Sequence, residues 1–198
     1  MVSGPSGAGK GSVCRVLREM RPDMKLSVSA TTRKPRPGEQ EGIHYFFKTK
    51  EAFLEMIEKG EFLEWAQVYG NYYGTPVSFV RETLEAGENM LLEIDIQGAL
   101  NVKKVFPDAV AIFIVPPSLA ILRKRLADRG TETEESLAVR CASAQKELAF
   151  MEQYDYFVVN GDLQKAADEI NAIMTAEPRK MARNLFAYRT LVEGEELK

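Results

Sequence analysis

The stretch Gly4-Pro5-Ser6-Gly7-Ala8-Gly9-Lys10-Gly11-Ser12 decides the fold of this chain. Glycine tolerates positive φ and has no Cβ, so a loop this rich in glycine can turn its backbone N–H groups inward. Together with the amino terminus of a following helix, those donors form a cradle for an anion. Lys10 adds a positive charge for the outer phosphates of a nucleotide. The stretch therefore predicts a phosphate-binding loop.

Two features of this loop depart from the general phosphate-loop motif. Gly11 follows the lysine directly, where the motif has Ser or Thr, and the first hydroxyl belongs to Ser12. Ser12 is therefore a candidate magnesium ligand, while the alternative is an ion bound mainly through the phosphates of the bound ligand. Only Met1, Val2 and Ser3 precede the loop, so the strand that leads into it is either very short or incomplete in this chain.

Beyond the loop, apolar runs alternate with amphipathic helices. The runs at 90–94, 109–115 and 156–159 are typical of strands buried on both faces of a parallel sheet. Helices are predicted at 118–128 with Ser118 as cap, at 134–152 with Thr131 and Glu134 as a capping box, and at 163–174. This repeated βαβ pattern predicts an α/β fold in which helices cover a parallel sheet.

Residues 31–87 interrupt that pattern. Their strands are short and polar, aromatic residues cluster at 45–47 and 72–73, and helices are predicted at 50–59 and 76–86. The second helix has Thr75 as its expected cap and Pro76 at its first position. We expect one domain, with a core of residues 1–30, 88–125 and 137–198 and an insertion at 31–87 that carries substrate contacts. The charged tail, 179–198, is predicted to be helical.

Composition excludes several classes of protein. Among 198 residues, 45% are hydrophobic and 28% charged, and the net charge of −3 gives no general basic field for nucleic acid or an anionic membrane. Cys14 and Cys141 are expected to be small core side chains, which indicates a reducing compartment. No signal peptide is expected, and no run approaches the ~20 apolar residues of a membrane helix. The expected location is the cytoplasm.

From Gly4 to about Gly161, the chain resembles the guanylate kinases, the GMP-specific P-loop nucleoside monophosphate kinases. Six segments carry the resemblance in order: SVSATTRKPRPGE at 27–39, GIHYFF at 42–47, FLEWA at 62–66, GNYYGT at 70–75, IDIQG at 94–98 and RGTETEES at 129–136. The resemblance implies the nucleoside monophosphate kinase fold and an enzyme that moves the γ-phosphate of ATP to GMP or dGMP with Mg²⁺. ATP and GMP would be its small-molecule substrates.

The resemblance implies that Arg33 and Arg36 hold the GMP phosphate together with the hydroxyls of Tyr45 and Tyr73. Guanidinium groups suit this task because their forked donors match phosphate oxygens. It further implies that Glu64 and Asp95 accept the adjacent N–H donors of guanine, with hydroxyl partners at Ser29 and Thr75.

The resemblance also implies a lid at 126–136 whose arginines close over the ATP phosphates. The expected catalytic residues are Lys10 and Arg33 together with the lid group Arg125, Arg129 and Arg140. Arg125 and Arg129 are four residues apart and share one helix face, where an anion would relieve their mutual repulsion.

Several alternatives stay open at this stage. Asp95 ends an apolar strand, a place where P-loop enzymes often keep an acid that organises the metal, so a magnesium role competes with a guanine role. Glu93 stands where the family usually has Asp, and Asn160-Gly161-Asp162 lies where the family places residues near the base, without the usual acid at Gly161. A phosphopeptide-binding module without catalysis, or a kinase for another nucleoside monophosphate, are the competing functions.

Overall fold

The computed structural model describes residues 1–68, 70–128 and 134–194. Its strands are β1 (Val2–Ser3), β2 (Lys25–Leu26), β3 (Ala30–Thr31), β4 (Phe46–Phe47), β5 (Phe62–Val68), β6 (Asn71–Pro76), β7 (Met90–Leu91), β8 (Ile112–Val115) and β9 (Tyr156–Val159). Its helices are α1 (Lys10–Met20), α2 (Lys50–Glu58), α3 (Val77–Glu85), α4 (Ile96–Val105), α5 (Leu119–Ala127), α6 (Glu134–Leu148), α7 (Leu163–Ala176) and α8 (Leu185–Val192).

A parallel sheet forms the centre of the molecule. β1 pairs with β8, β8 pairs with β9, and β2 pairs with β7, all in parallel. Val2 bridges Glu93 just beyond β7, also in parallel, which joins the two groups in the order β2-β7-β1-β8-β9. The predicted α/β architecture with a parallel sheet is confirmed, and the carboxyl ends of β1, β7 and β8 meet at one edge.

Helices cover both faces of this sheet. On one face, α1 and α7 pack Leu17 and Ile170 against Ile112 and Ile114. On the other, a cluster that includes Val80 of α3 and Val102 of α4 packs against residues 92–94. Both cysteines pack among apolar residues, as expected: Cys14 is buried in the first cluster, and Cys141 of α6 is partly buried against a cluster that α5 and α6 form.

A second, mixed sheet of four strands occupies residues 30–76, in the order β4-β3-β6-β5. Phe53 of α2 is fully buried against it and stacks on Phe62 with ring centroids 4.4 Å apart. The buried Phe53 ring and the half-buried Phe62 ring are a large apolar contribution for so small a sheet. It gives these short polar strands a core of their own.

Local boundaries agree with the sequence except in a few places. The strands predicted at 90–94 and 109–115 are shorter, because only part of each run pairs regularly. The helix predicted at 134–152 ends at Leu148 and continues as a 3-10 turn. The capping box of Thr131 and Glu134 stays a prediction, because Thr131 lies outside the described residues. The assignment of Thr75 as the cap of α3 is wrong: Pro76 is the cap residue, and the Thr75 hydroxyl bonds to Glu64 instead.

The carboxyl-terminal region is less helical than expected. Short 3-10 turns at Glu177–Arg179 and Met181–Arg183 precede α8, which is part of the helix predicted at 179–198. Within the described ranges, no helix combines the length and the apolar character needed to cross a bilayer.

Candidate active site

The phosphate loop leaves β1 at Gly4 and enters α1 at Lys10. Gly4 has φ 144°, and a Cβ at this position would collide with the carbonyl oxygen of Ile114 on β8. Gly9 has φ 92° and caps α1, where a Cβ would collide with the side-chain amide of Asn160. Only glycine fits these two positions, because both combine a left-handed backbone with close contact to neighbouring atoms.

Lys10 extends along the inside of this loop. Its Nζ donates to the Gly4 carbonyl at 2.7 Å and to the Pro5 carbonyl at 3.4 Å. Burial lowers the pKa of Lys10, while the nearby Glu93 and Glu147 carboxylates oppose that shift. The ammonium group is therefore held at the mouth of the loop by weak carbonyl acceptors, which an anionic ligand can replace.

Arg125 and Asn160 brace the outer side of the loop. Arg125 donates to the carbonyls of Ala8 at 3.3 Å and of Asn160 at 2.8 Å, and the Asn160 amide donates to Ala8 at 2.7 Å. Arg125 thus contacts the loop from α5. Asn160, which the sequence placed near the nucleotide base, is buried beneath the loop in this structure.

The inner side of the loop is held from α6. Arg140 donates to the Ser6 hydroxyl at 2.6 Å, and Glu147 accepts from the Ser6 backbone N–H at 3.3 Å. Of the three expected lid arginines, Arg125 and Arg140 both reach the loop, and Arg129 lies outside the described residues.

A cleft of about 360 Å³ opens between the loop and the mixed sheet. This volume lies within the range of small-molecule sites. It brings together ten of the residues expected from the sequence: Gly4, Ser6, Lys10, Ser29, Arg36, Tyr45, Glu64, Tyr73, Asp95 and Arg140. The other expected residues lie outside its lining: Pro5, Gly7, Ala8, Gly9, Gly11, Ser12, Arg33, Thr75 and Arg125.

The two arginines of the mixed sheet share an acidic partner. Glu39 accepts from the Arg33 guanidinium at 2.8 and 3.0 Å and from the backbone N–H of Arg36 at 2.7 Å. Arg33 also lies over the Tyr45 ring, 5.4 Å from its centroid. Arg36 is exposed and lines the cleft, so the turn that carries both arginines is ordered by Glu39.

Tyr45 and Tyr73 face each other across the cleft. Their ring centroids are 6.2 Å apart in an edge-to-face arrangement. Burial raises the pKa of Tyr45 to about 12, with a further contribution from the charge of Glu93. Tyr45 therefore keeps its proton at neutral pH and can donate a hydrogen bond to an anion.

Glu64 is a buried carboxyl group on β5 whose neighbours fix its orientation. It is 7% exposed, and the Thr75 hydroxyl on the paired strand β6 donates to its Oε1 at 2.7 Å. Burial raises the pKa of Glu64 to about 7, and the charge of Asp95 adds to the shift. A Cβ at Gly98 would lie 2.5 Å from Glu64 Oε2, so the glycine in α4 makes room for this carboxyl.

Asp95 and Glu93 stand at the carboxyl end of β7. Asp95 caps α4, accepting from the Gly98 N–H at 2.9 Å, and it lines the cleft. Burial raises the pKa of Glu93, while the positive charge of Lys10 lowers it. Both candidate roles of Asp95 remain compatible with this position.

Oxygen donors on this side of the cleft suit magnesium. Mg²⁺ prefers oxygen ligands and commonly keeps several waters while binding substrate phosphates. Glu93, Asp95 and the exposed Ser12 lie at or near the phosphate loop, but the described residues contain no group of three or more His, Cys, Asp or Glu that could hold a metal. This donor set fits an ion carried mainly by a nucleotide.

The structure also contains a larger cavity, of about 760 Å³, away from these motifs. It lies at the amino ends of β7 and β8 and is lined mainly by apolar residues such as Leu63, Val80 and Phe106. Ligands of open α/β sheets bind outside the carboxyl ends of the strands. The smaller, polar cleft is therefore the candidate active site.

A family model described as guanylate kinase matches residues 1–177. The chain belongs to the guanylate kinase family. It is 52% identical to a guanylate kinase of Halalkalibacterium halodurans over 98% of this chain and 96% of the relative. It is also 52% identical to that of Caldanaerobacter subterraneus over 98% of this chain and 94% of the relative.

Solved structures agree with this family assignment. A crystal structure of guanylate kinase from Anaplasma phagocytophilum is similar with a TM-score of 0.78 and 37% identity, covering 92% of this chain and 86% of that one. A shikimate kinase from Bacteroides thetaiotaomicron, at 15% identity and a TM-score of 0.50, shares the fold alone.

Several residues of this site were not assigned a role from the sequence. Glu39, Gly98 and Glu147 each bond to or make room for a predicted residue. Glu39 and Gly98 lie within the segments quoted at 27–39 and 94–98, but no role was predicted for them. For Glu147 the only local signal is its spacing from Arg140, two turns along one face of α6. Asn160 was singled out, but its contact with the loop depends on the tertiary fold.

Proposed function

We propose that the chain catalyses transfer of the γ-phosphate of ATP to GMP, or dGMP, giving ADP and GDP. The observation that carries this proposal is the position of Glu64. Its buried carboxyl, oriented by Thr75, faces the same cleft as Lys10 of the phosphate loop. A carboxylate can accept both adjacent N–H donors of guanine, whereas adenine presents a ring lone pair at that edge.

On the acceptor side, we assign guanine binding to Glu64, Asp95, Ser29 and Thr75. The first three line the cleft. Thr75 does not, but its hydroxyl donates a hydrogen bond to Glu64 and so orients that carboxyl. A single buried site that hydrogen-bonds its substrate directly can discriminate by several orders of magnitude, because the wrong base leaves polar groups unpaired.

The GMP phosphate is assigned to Arg33, Arg36, Tyr45 and Tyr73. Arg36 and both tyrosines line the cleft. Arg33 is bonded to Glu39 and would have to exchange that partner, or share it, to reach the phosphate. Such an exchange is compatible with a site that assembles only when substrate is bound.

On the donor side, the loop amides from Gly4 to Ser12 and the Lys10 ammonium are assigned to the ATP phosphates. Arg125, Arg129 and Arg140 are assigned to the charge that develops during transfer. Arg140 already contacts Ser6 inside the cleft, which supports its part in this group. Mg²⁺ would be held mainly by the ATP phosphates, with Ser12 and Glu93 as candidate protein contacts, and would supply charge neutralisation and alignment.

The proposed reaction depends mainly on how the protein positions its two substrates. The nucleophile is an oxygen of the GMP phosphate that is already anionic, so the chain needs no strong general base. Its task is to align two anions and neutralise the moving group. We propose that the insertion at 31–87 and the lid at 126–136 close on the core, which excludes the water that would otherwise hydrolyse ATP.

We also propose that the chain is located in the cytoplasm. This reducing compartment suits a chain whose two cysteines are packed as free thiols. ATP and GMP are its proposed partners, and neither nucleic acid nor membrane is among them.

A coupled assay of ADP formation tests the proposal. The purified chain is supplied with MgATP and, separately, GMP, dGMP, AMP or no acceptor. GMP is expected to support by far the fastest turnover. Equal rates with AMP would indicate a kinase for another monophosphate, and no turnover with any acceptor would indicate a binding module.

A further inference from the structure

Two residues that differ from the general P-loop pattern lie beside each other at the phosphate loop. Gly11 follows the loop lysine where the general motif has Ser or Thr, and the acid after the neighbouring strand is Glu93, where P-loop NTPases hold Mg²⁺ with an Asp. The parallel bridge between Val2 and Glu93 places the end of β7 next to the strand that enters the loop. From there the Glu93 side chain reaches the first turn of α1.

The contact between them is close. A Cβ built on Gly11 would lie 3.2 Å from Glu93 Oε1 and 3.7 Å from Oε2. Gly11 has an ordinary helical backbone, outside the left-handed region, so its conformation does not require glycine. Glycine is also a poor helix former, and α1 would be more stable with another residue here. A side chain at this position would press on the carboxylate, which would have to move by a few tenths of an ångström to admit it.

Glu93 lies in the cleft, among charged and polar side chains, rather than on the open surface of the protein. It lines the cleft together with Lys10 and Tyr45, and its charge acts on both of them. In P-loop enzymes the hydroxyl directly after the lysine and an acid on the neighbouring strand both help to hold Mg²⁺. Here the hydroxyl is missing from that position, and the acid is one methylene longer than the usual Asp.

We propose that Gly11 and Glu93 act as one unit, in which Gly11 opens a space beside Lys10 and the Glu93 carboxylate fills it in place of the usual hydroxyl. Glu93 is then a positioning residue for the magnesium side of the nucleotide, a role that rests on the proposed transfer from ATP. Glycine with glutamate is one compatible pair. Serine with aspartate is the other, because a shorter acid leaves room for a serine side chain.

A double-mutant cycle tests this unit without any turnover. The variants are Gly11→Ser, Glu93→Asp and the two combined, with Glu19→Asp, an exposed change on α1, as matched control. Calorimetry measures the Kd of ADP with and without Mg²⁺ for each, and thermal unfolding checks the fold. The readout is the factor by which Mg²⁺ tightens ADP binding.

Each single change is expected to reduce that factor at least about fivefold, while the double variant returns to within about twofold of wild type. Glu19→Asp should leave it unchanged. Losses that simply multiply in the double variant would overturn the proposal, as would an unchanged factor in Glu93→Asp.

The double-mutant cycle can be interpreted even if one variant is unstable or the proposed kinase activity is absent. If Gly11→Ser proves too unstable to measure, the comparison of Glu93→Asp with the double variant remains, in which the added serine should restore at least about fivefold of the Mg²⁺ effect. No restoration would refute the pairing. Because neither GMP nor phosphate transfer enters the measurement, a failure here is distinct from a failure of the proposed kinase activity.

Discussion

Replacing Glu64 with glutamine should separate two consequences of burying this carboxyl group. Glutamine has nearly the same shape, and its amide oxygen can still accept the Thr75 hydroxyl that Glu64 accepts at 2.7 Å. The change removes the charge and puts an N–H₂ donor where the second carboxylate oxygen stood. We expect the folded protein to become more stable and its binding of GMP to become weaker.

The stability effect follows from the raised pKa of Glu64. A rise from 4.5 to about 7 corresponds to about 3 kcal/mol, because each pKa unit is about 1.4 kcal/mol. The folded protein holds the proton more firmly than the unfolded chain, so the free energy of unfolding falls as the pH rises from about 4.5 to about 7. Glu64→Gln should therefore raise it by about 1–3 kcal/mol at pH 8 and by little at pH 4.5.

The effect on binding has the opposite sign. An amide donor facing the guanine donors leaves buried polar groups badly paired, which costs about 1–3 kcal/mol, or about 5- to 150-fold in affinity. Wild-type affinity for GMP should also fall as the pH drops through about 7 and the carboxylate is protonated. The variant should lack this fall and should weaken only near pH 6, where the GMP phosphate itself is protonated, at a second pKa of about 6. ATP binding should be nearly unchanged, since the phosphate loop is a separate part of the cleft.

Steady-state kinetics with GMP and AMP, together with urea unfolding at pH 4.5 and 8, provide the measurement. Glu61→Gln, an exposed change just before the same strand, is the control. GMP kinetics that match wild type, or a loss confined to ATP, would refute the guanine-binding role of Glu64. A stability change that is equal at the two pH values would refute the argument from burial.

Three further predictions concern the rest of the cleft. Lys10→Ala should keep the fold but lower turnover by roughly 3 kcal/mol in barrier, on the order of 100-fold; turnover above a tenth of wild type would contradict this. Gly98→Ala should place a methyl 2.5 Å from Glu64 Oε2 and raise the KM for GMP on the order of tenfold by displacing the carboxylate, and an unchanged KM would show that the carboxyl is not fixed from α4. Small-angle scattering with a bisubstrate analogue should show compaction as the insertion at 31–87 closes, whereas identical profiles with and without the analogue would argue against closure.

Local sequence was sufficient for many elements of this fold, although β2 and α4 were not predicted from it. The glycine spacing of the loop predicted the β1–α1 unit, and Ser118 was correctly identified as a helix cap, because these features depend on neighbours within one turn. The alternation of apolar runs with helices likewise predicted the parallel sheet, since a run buried on both faces has few other places in a fold. Thr75 was misassigned because its local sequence is typical of a helix cap. In the structure its hydroxyl instead donates to Glu64 on the paired strand.

The tertiary structure alone decided which residues support the site. Glu39 holds Arg33, Gly98 admits Glu64, and Asn160 braces the phosphate loop, and each contact joins elements whose distance is set by sheet order and helix packing. The raised pKa of Glu64 belongs to this class as well, because desolvation depends on everything packed around the carboxyl. The sequence by itself determined the family, the fold and the motif residues, since short-range spacing encodes them. The pairing of Gly11 with Glu93 could be seen only after folding, because it depends on two strands lying side by side.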